Sequence, residues 1–483
     1  MRLGFLFISI GLVVGGLFGL SITAYAGAGG LEMLGVDKFG IHGLGHIANI
    51  LVLMLGGVMI IATLLTMAER KWSALIQNRV GPNRIRIPIP GLKNNALFGL
   101  PHIAPDVLKM LTKEAFRPKA ANSFLFNLAP MLAFGPVFAL FAIVPIGPTL
   151  DVFNKGQAIV MAAANPDFGL LYLFAIASLA VYGTSLAGWS SNNKFALLGG
   201  VRASSQMISY EVALGLSLVG MMICFDTVRL AGPGGMSESQ MGYLWVTHAA
   251  NGFDLGLPKW GILLQPLGFL LFFAASFAET KRAPFDTPEG ESEIVGYFLE
   301  YSGMQFGLFM ISEFVEVVVL SGVLVAIFFG AWWLPFGNEY LLSWWKAHEL
   351  PNVVLGAIFG TIFWLKVLLL VFLQLLIRWT FPRFRYDQVQ NLGWKILLPL
   401  GLVNLFISGA LILWDPSLRY LAIFGFVVMG FFAFLTLTPP RQVRNEQAAA
   451  DDHGGGHGHG GGHDDHGHDD HGDDAHALPA NTH

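Results

Sequence analysis

Four ionisable residues interrupt long apolar stretches of this chain: Glu211 in SQMISYEVALG, Glu313 and Glu316 in FMISEFVEVVV, and Lys366 in TIFWLKVLLLV. Charges inside such segments are costly, and where they persist they usually belong to proton or ion paths. Glu313 and Glu316 stand three residues apart and share a helix face. At the helical rise, Glu313 lies roughly 18 Å from the start of its segment. Carboxylates close together in a dry site cannot all ionise, so they share and couple their protons, and such a set can accept, store and pass them. The alternative is that each acid is a neutral or paired structural group. That alternative loses weight because the acids continue into the loop AETKRAPFDTPEGESEIVGYFLEYSG, residues 278–303, which carries Glu279, Asp286, Glu289, Glu291, Glu293 and Glu300 against only Lys281 and Arg282. Pro284 and Pro288 forbid a continuous helix there and hold the carboxylates on a turn.

A second texture is basic. AERKWSALIQNRVGPNR gathers Glu69, Arg70, Lys71, Arg79 and Arg84 around a Gly81-Pro82-Asn83 turn. PHIAPDVLKMLTKEAFRPK follows, with Val107, Leu108, Leu111 and Ala115 opposite Lys109, Lys113 and Lys119, the pattern of an amphipathic helix on a membrane surface. A helix of this kind beside a basic turn suits access of an amphipathic, lipid-dissolved substrate; a plain anchor on anionic lipid is the competing reading.

The elements that must position these groups follow from composition. The 483 residues are 54% hydrophobic and 12% charged, with a mean hydropathy of +0.59. The apolar runs are continuous, without a period of two, so membrane-spanning helices are favoured over a barrel. The expected fold is an all-α polytopic membrane protein. Spans are expected near 3–24, 46–68, 123–147, 168–189, 205–225, 261–278, 302–330, 353–377, 395–414 and 418–437. Residues 1–26 read as an apolar span or a signal-like segment, because Ala24-Tyr25-Ala26 also fits a cleavage site. Most of the 28 Lys and Arg fall in the segments 69–122, 190–204, 279–301 and 378–395 and in the tail, which places those segments on the cytoplasmic side.

From 439 to 483 the chain changes character, to a His/Asp/Gly-rich tail expected to be disordered, either solvated or weakly metal-binding. Cys224 is the only cysteine, so the chain builds no internal disulfide and no Cys-ligated cluster. His42, His46, His102, His248 and His348 fall in loops or at span ends, where they are unsuited to clasping a haem between helices. No nucleotide-binding glycine loop is present, and nothing suggests nucleic acid. Any redox chemistry must therefore use electron carriers on partners.

Read together, AERKWSALIQNRVGPNR, SLAGWSSNNKFALLGGVRASSQMISYEVALG, FAETKRAPFDTPEGESEIVGYFLEYSG and WTFPRFRYDQVQNLGWKILLPL resemble the H subunit of bacterial NADH:quinone oxidoreductase, the respiratory complex I family. The resemblance spans about 46–414 and implies eight core transmembrane helices in the bacterial inner (plasma) membrane, with extra N- and C-terminal spans, the latter at 418–437. It implies a component that joins the membrane arm to the peripheral arm and forms much of the quinone chamber. No cofactor is expected on this chain, since FMN and iron–sulfur clusters belong to partner subunits and quinone is the substrate. Carried over by resemblance, Glu69, Arg70, Arg79 and Arg84 belong to the quinone access side, with Arg282 and Asp286 near the interface loop. Glu211, Glu279, Glu289, Glu291, Glu293 and Glu313 match the acidic chain toward the pumping subunits, and Lys366 joins them as an intramembrane base.

The chain departs from the family pattern in its N-terminal segment, its long loops at 226–260 and 331–352, its last span, its tail and Glu316. The expected function is that of a component without redox centres in a proton-translocating NADH:quinone oxidoreductase, in which quinone reduction shifts protonation along the glutamates. The related component of a membrane-bound hydrogenase and a stand-alone secondary transporter are the rivals. Copurifying flavin and iron–sulfur proteins, a nickel hydrogenase or a solitary carrier would separate the three.

Overall fold

A computed structural model of the protein describes residues 15–23, 57–85, 97–150, 159–248, 254–290, 294–348 and 351–437. Glu291, Glu293, the tail from 439 and most of the first 56 residues lie outside the described residues. The chain divides into two units, Met1–Phe431 and Phe432–His483. Of the second, only the helical residues 432–437 are described, and every feature below belongs to the first.

The described elements are helical apart from two small hairpins. In chain order the helices are α1 (Ile60–Ile76), α2 (Ile103–Thr112), α3 (Ser123–Leu140), α4 (Gly169–Ser190), α5 (Lys194–Phe225), α6 (Pro266–Glu279), α7 (Gly303–Phe328), α8 (Asn338–Ala347), α9 (Asn352–Thr380), α10 (Tyr386–Asn391), α11 (Leu398–Trp414) and α12 (Arg419–Leu437). Antiparallel pairs β1–β2 (Gly147–Leu150, Ile159–Met161) and β3–β4 (Tyr243–His248, Asp254–Pro258) sit in the loops on the opposite side from the expected cytoplasmic one. Six helical stretches are long and apolar enough to cross a membrane among the described residues: Ser123–Ile143, Gly169–Ser190, Lys194–Phe225, Gly303–Phe328, Asn352–Thr380 and Tyr386–Trp414. Pro266–Glu279 and Arg419–Phe434 are shorter apolar helices. The protein is an all-α polytopic membrane protein.

Local sequence explains where the helices begin. The Asn122 side chain accepts from the Phe124 and Leu125 amides at the start of α3, and Asn193 accepts from the Phe195 amide at the start of α5. Pro266 opens α6, where its missing N–H costs nothing. Close packing fixes neighbours: a Cβ on Gly183 of α4 would lie 2.4 Å from the Ala133 nitrogen of α3, so only glycine permits that approach.

Helix α7 is the axis of the bundle. All of its residues from Ser312 to Phe328 are buried, and α1, α3, α6 and α9 pack against it. A helix that is apolar on all sides is driven to such a position, since no face of it needs water. Burial therefore falls on Glu313 and Glu316 through the helix that carries them.

Two expected boundaries are corrected. Helix α1 continues to Ile76, so Glu69, Arg70 and Lys71 stand on a helix and not in a loop. Helix α5 begins at Lys194, not near 205, which places Glu211 more than four turns inside it. In both places polar residues end the apolar run but not the helix. At 32 residues, α5 is about 48 Å long, well beyond a bilayer core of about 30 Å, so its polar first turns need not lie in lipid.

Candidate functional site

Arg282 is the centre of a buried charge row. It follows α6 by three residues, and its Nη1 donates to Glu69 Oε2 of α1 at 3.3 Å while its Nη2 lies 3.7 Å from Glu313 Oε2 of α7. Its guanidinium also stacks 3.9 Å from the centre of the Phe314 ring. Arg378, near the end of α9, pairs with the second Glu69 oxygen. The Tyr297 hydroxyl donates to Glu313 Oε1 at 3.3 Å. One turn further along α7, Glu316 Oε2 is 3.4 Å from Lys281 Nζ. Glu279 lies within electrostatic reach of Glu316, Glu211 and Lys281. The row thus runs from Glu69 through Arg282 to Glu313, then by way of Glu316 and Lys281 to Glu279 and Glu211.

The loop 281–290 is held over this row from two sides. Gln206 of α5 is buried; its Nε2 donates to the carbonyls of Ala278 at 2.6 Å and Phe285 at 2.7 Å, and its Oε1 accepts from Thr287 Oγ1. From the α9–α10 connection, Arg383 Nη2 pairs with Asp286 Oδ2 at 2.7 Å and the Phe384 amide donates to the Pro284 carbonyl at 3.0 Å. The Glu289 amide donates to Asp286 Oδ1 at 3.2 Å. Burial raises the Asp286 carboxyl above the usual carboxylate range despite its Arg383 partner. Burial, reinforced by the charges of Glu313 and Asp286, pushes Glu289 up to about 8.

A cavity of about 770 Å³ adjoins the Glu69 end of the row. Glu69, Arg70, Arg79, Arg84 and Arg378 supply its charged side, and Ala62, Met310, Ile311 and Phe314 its apolar side. Arg70 Nη1 pairs with Asp106 Oδ2 of α2 at 2.6 Å, tying the surface helix to the wall. Helix α2 has no buried residue, and Leu108 and Leu111 are each 59% exposed. The exposed Leu108 and Leu111 keep the amphipathic pattern of the sequence. A mixed pocket of this size suits a ligand with a polar ring and a greasy body.

Of the residues expected at this site, Glu69, Arg70, Arg79 and Arg84 line the cavity. Arg282 stands behind Glu69, and Asp286 lies with the loop, paired to Arg383. Glu211, Glu279, Glu289 and Glu313 fall along or beside the row, joined by Glu316. Lys366 is not brought to it. Its ammonium donates to the carbonyls of Phe329 at 2.8 Å, Ala331 at 3.0 Å and Trp333 at 2.6 Å and lies 4.5 Å from the Trp260 ring centre. Phe329 follows Glu316 by thirteen residues, about 20 Å along the helix direction. Glu300 accepts from Asn193 at 2.6 Å at the start of α5. Arg378, Gln206, Tyr297 and Phe314 are site residues that sequence reasoning did not single out.

The fold and the site define a polytopic helical membrane protein with an ion-paired acidic row leading away from a mixed polar and apolar cavity. The profile of the family described as NADH dehydrogenase matches residues 48–409, and the chain belongs to that family. It is 39% identical over 356 residues to the H 1 subunit of the NADH-quinone oxidoreductase of Cytophaga hutchinsonii, an alignment covering 74% of this chain and 93% of that relative. It is 40% identical over 368 residues to the H 1 subunit of the same enzyme in Geobacter metallireducens, covering 75% and 95%. With the H subunit from Flavobacterium johnsoniae the identity is 37% over 365 residues, covering 75% and 94%.

Proposed function

We propose that this chain is the H subunit of a proton-translocating NADH-quinone oxidoreductase, that its cavity receives the quinone head, and that its buried row carries the charge change away from the reaction. The observation that carries the reading is the double engagement of Arg282, with Glu69 on the cavity wall at 3.3 Å and Glu313 in the bundle axis at 3.7 Å. Reduction of a quinone takes up two electrons and two protons. The electrons come from iron–sulfur carriers on partner subunits, fed by flavin and NADH, because the chain's single cysteine cannot hold a cluster. Protonation of Glu69 frees Arg282 to favour Glu313, and passage of that proton to the quinone draws Arg282 back. The acids beyond then redistribute their protons, which is a local change biasing a two-state element. Partners on the membrane side complete the pumping. Loop 281–290, held by Gln206 and Arg383, is the surface where the peripheral arm would sense this change.

The test is Glu69→Gln in the assembled membrane complex, which keeps the shape and removes the charge that Arg282 and Arg378 share. NADH-driven quinone reduction and the accompanying proton gradient should both fall, with the amount of assembled complex preserved. Full activity and a full gradient in that variant would remove the row's link to the cavity and the proposal with it.

A further inference from the structure

Glu316 is the second carboxylate on the buried axis, one turn from Glu313 on the same face, and its partner is Lys281. Lys281 reaches it from just past the end of α6, with Nζ 3.4 Å from Glu316 Oε2 and 3.9 Å from the Met207 sulfur of α5. Both residues are buried. The Lys281 backbone has a φ of +54°, the left-handed region, which costs a side-chain-bearing residue about 1–2 kcal/mol. Such a conformation persists where the surroundings hold it. Its effect here is to send consecutive cations to different acids: Lys281 to Glu316, and Arg282 to Glu69 and Glu313.

The groups facing the pair come from every element around it. Glu279 on α6, Arg282 on the loop, Glu313 on α7 and the Tyr297 phenol act on the pair directly, and behind them Glu211 of α5 acts on Glu279 while Asp286, Glu289 and Arg378 act on Glu313. Carboxylates outnumber cations in this set. An additional buried carboxylate without its own cation would repel the charged forms of Glu279 and Glu313.

We propose that Lys281 and Glu316 form a fixed counter-ion pair that sets the charge felt by Glu279 and Glu313, with Lys281 a positioning residue and Glu316 not itself a proton-carrying station. The inference rests on the proposed relay reading. Removing Glu316 alone leaves an ammonium beside Glu279 and Glu313, which then release protons at lower pH. Removing Lys281 alone leaves one more anion, and the same acids keep their protons to higher pH. Removing both takes away equal and opposite charges.

The experiment uses membrane vesicles containing the whole complex, with Glu316→Gln, Lys281→Met, Lys281→Arg and the Lys281→Met/Glu316→Gln double variant, scored for NADH-driven proton uptake across pH. The single neutralisations should move the pH profile in opposite directions by roughly one pH unit, the effect of a tenfold change in proton affinity. The double variant and Lys281→Arg should return it close to the parent. A double variant that pumps no protons while assembled would make Glu316 a proton carrier and overturn the proposal. Single variants with unchanged profiles would overturn it as well. Should Lys281→Met fail to assemble, Glu316→Gln against the double variant still decides. Glu279→Gln separates the two readings: unaltered proton uptake there removes the relay, whereas the opposite profile shifts and their cancellation report on the pair alone.

Discussion

Replacing Arg282 tests the buried row at the cation that joins two of its acids. The guanidinium is buried, faces Glu69 at 3.3 Å and Glu313 at 3.7 Å, and covers the Phe314 ring at 3.9 Å. A unit charge at that range is worth about 4–5 kcal/mol to each carboxylate at an effective dielectric of 20, as an upper bound. Arg282→Met does not forfeit all of it, because Glu69 keeps Arg378 and Glu313 keeps the Tyr297 hydroxyl. A third of the bound, about 1.4 kcal/mol, already corresponds to a tenfold rate effect. The expected result is at least a tenfold fall in NADH-driven quinone reduction in membranes with normal complex content, and a fall in protons moved per electron. Arg282→Lys keeps the charge but replaces a two-pronged fork with a single point, so it should restore part of the reduction rate and less of the pumping. Full reduction and full pumping in Arg282→Met would refute the idea that charge state passes through this side chain.

Three further outcomes are expected. With Glu289 near 8 in the folded chain and near 4.3 when unfolded, the unfolded form releases its proton first as pH rises, so stability falls between about pH 4.3 and 8 and levels beyond; Glu289→Gln should flatten that decline in the thermal half-life of the detergent-solubilised complex. Lys366→Met strands three carbonyls and should cost at least about 3 kcal/mol, seen as less of the chain in the membrane, with protons per electron unchanged in the complex that does assemble; an altered ratio would make Lys366 a relay member. Gly183→Val forces a Cβ within 2.4 Å of the Ala133 nitrogen and should prevent accumulation of the protein, as a membrane immunoblot would show.

The helices and the location of the acids were legible because hydropathy and in-span charge are local properties. Glu313 and Glu316 stood out as acids in an apolar run, and their helix proved to be the bundle axis. What stayed hidden is tertiary. Arg378 ends an apolar run and reads as a membrane-edge anchor, until the fold turns its guanidinium onto Glu69. Gln206 is a neutral residue in a mixed stretch, and nothing nearby in sequence announces that it binds Ala278 and Phe285, more than seventy residues away. Lys366 shows the reverse case. Burial of a lysine is visible in sequence, but whether it meets a carboxylate or a set of carbonyls depends on the turn after α7, where Gly330 and Ala331 take positive φ.

The arrangement of cations explains how the bundle tolerates so many acids. Lys281 and Arg282 lie just beyond a helix end and Arg378 two residues before one, so their chains reach inward from the loop side of the bundle to Glu316, Glu69 and Glu313. Glu279 and Glu211 carry no such partner among the ion pairs of the described residues and share their surroundings with Glu316. A buried pair with both members present is tolerated, whereas a lone buried carboxylate is driven to keep a proton. The row is thus paired next to the cavity and unpaired further along. That gradient fits the proposed relay, in which charge separation would be held at the paired end and protons stored at the other. It follows that Glu279→Gln should disturb proton transfer more than assembly, since it removes a proton store and strands no cation, while Glu69→Gln should disturb both the quinone reaction and the transfer.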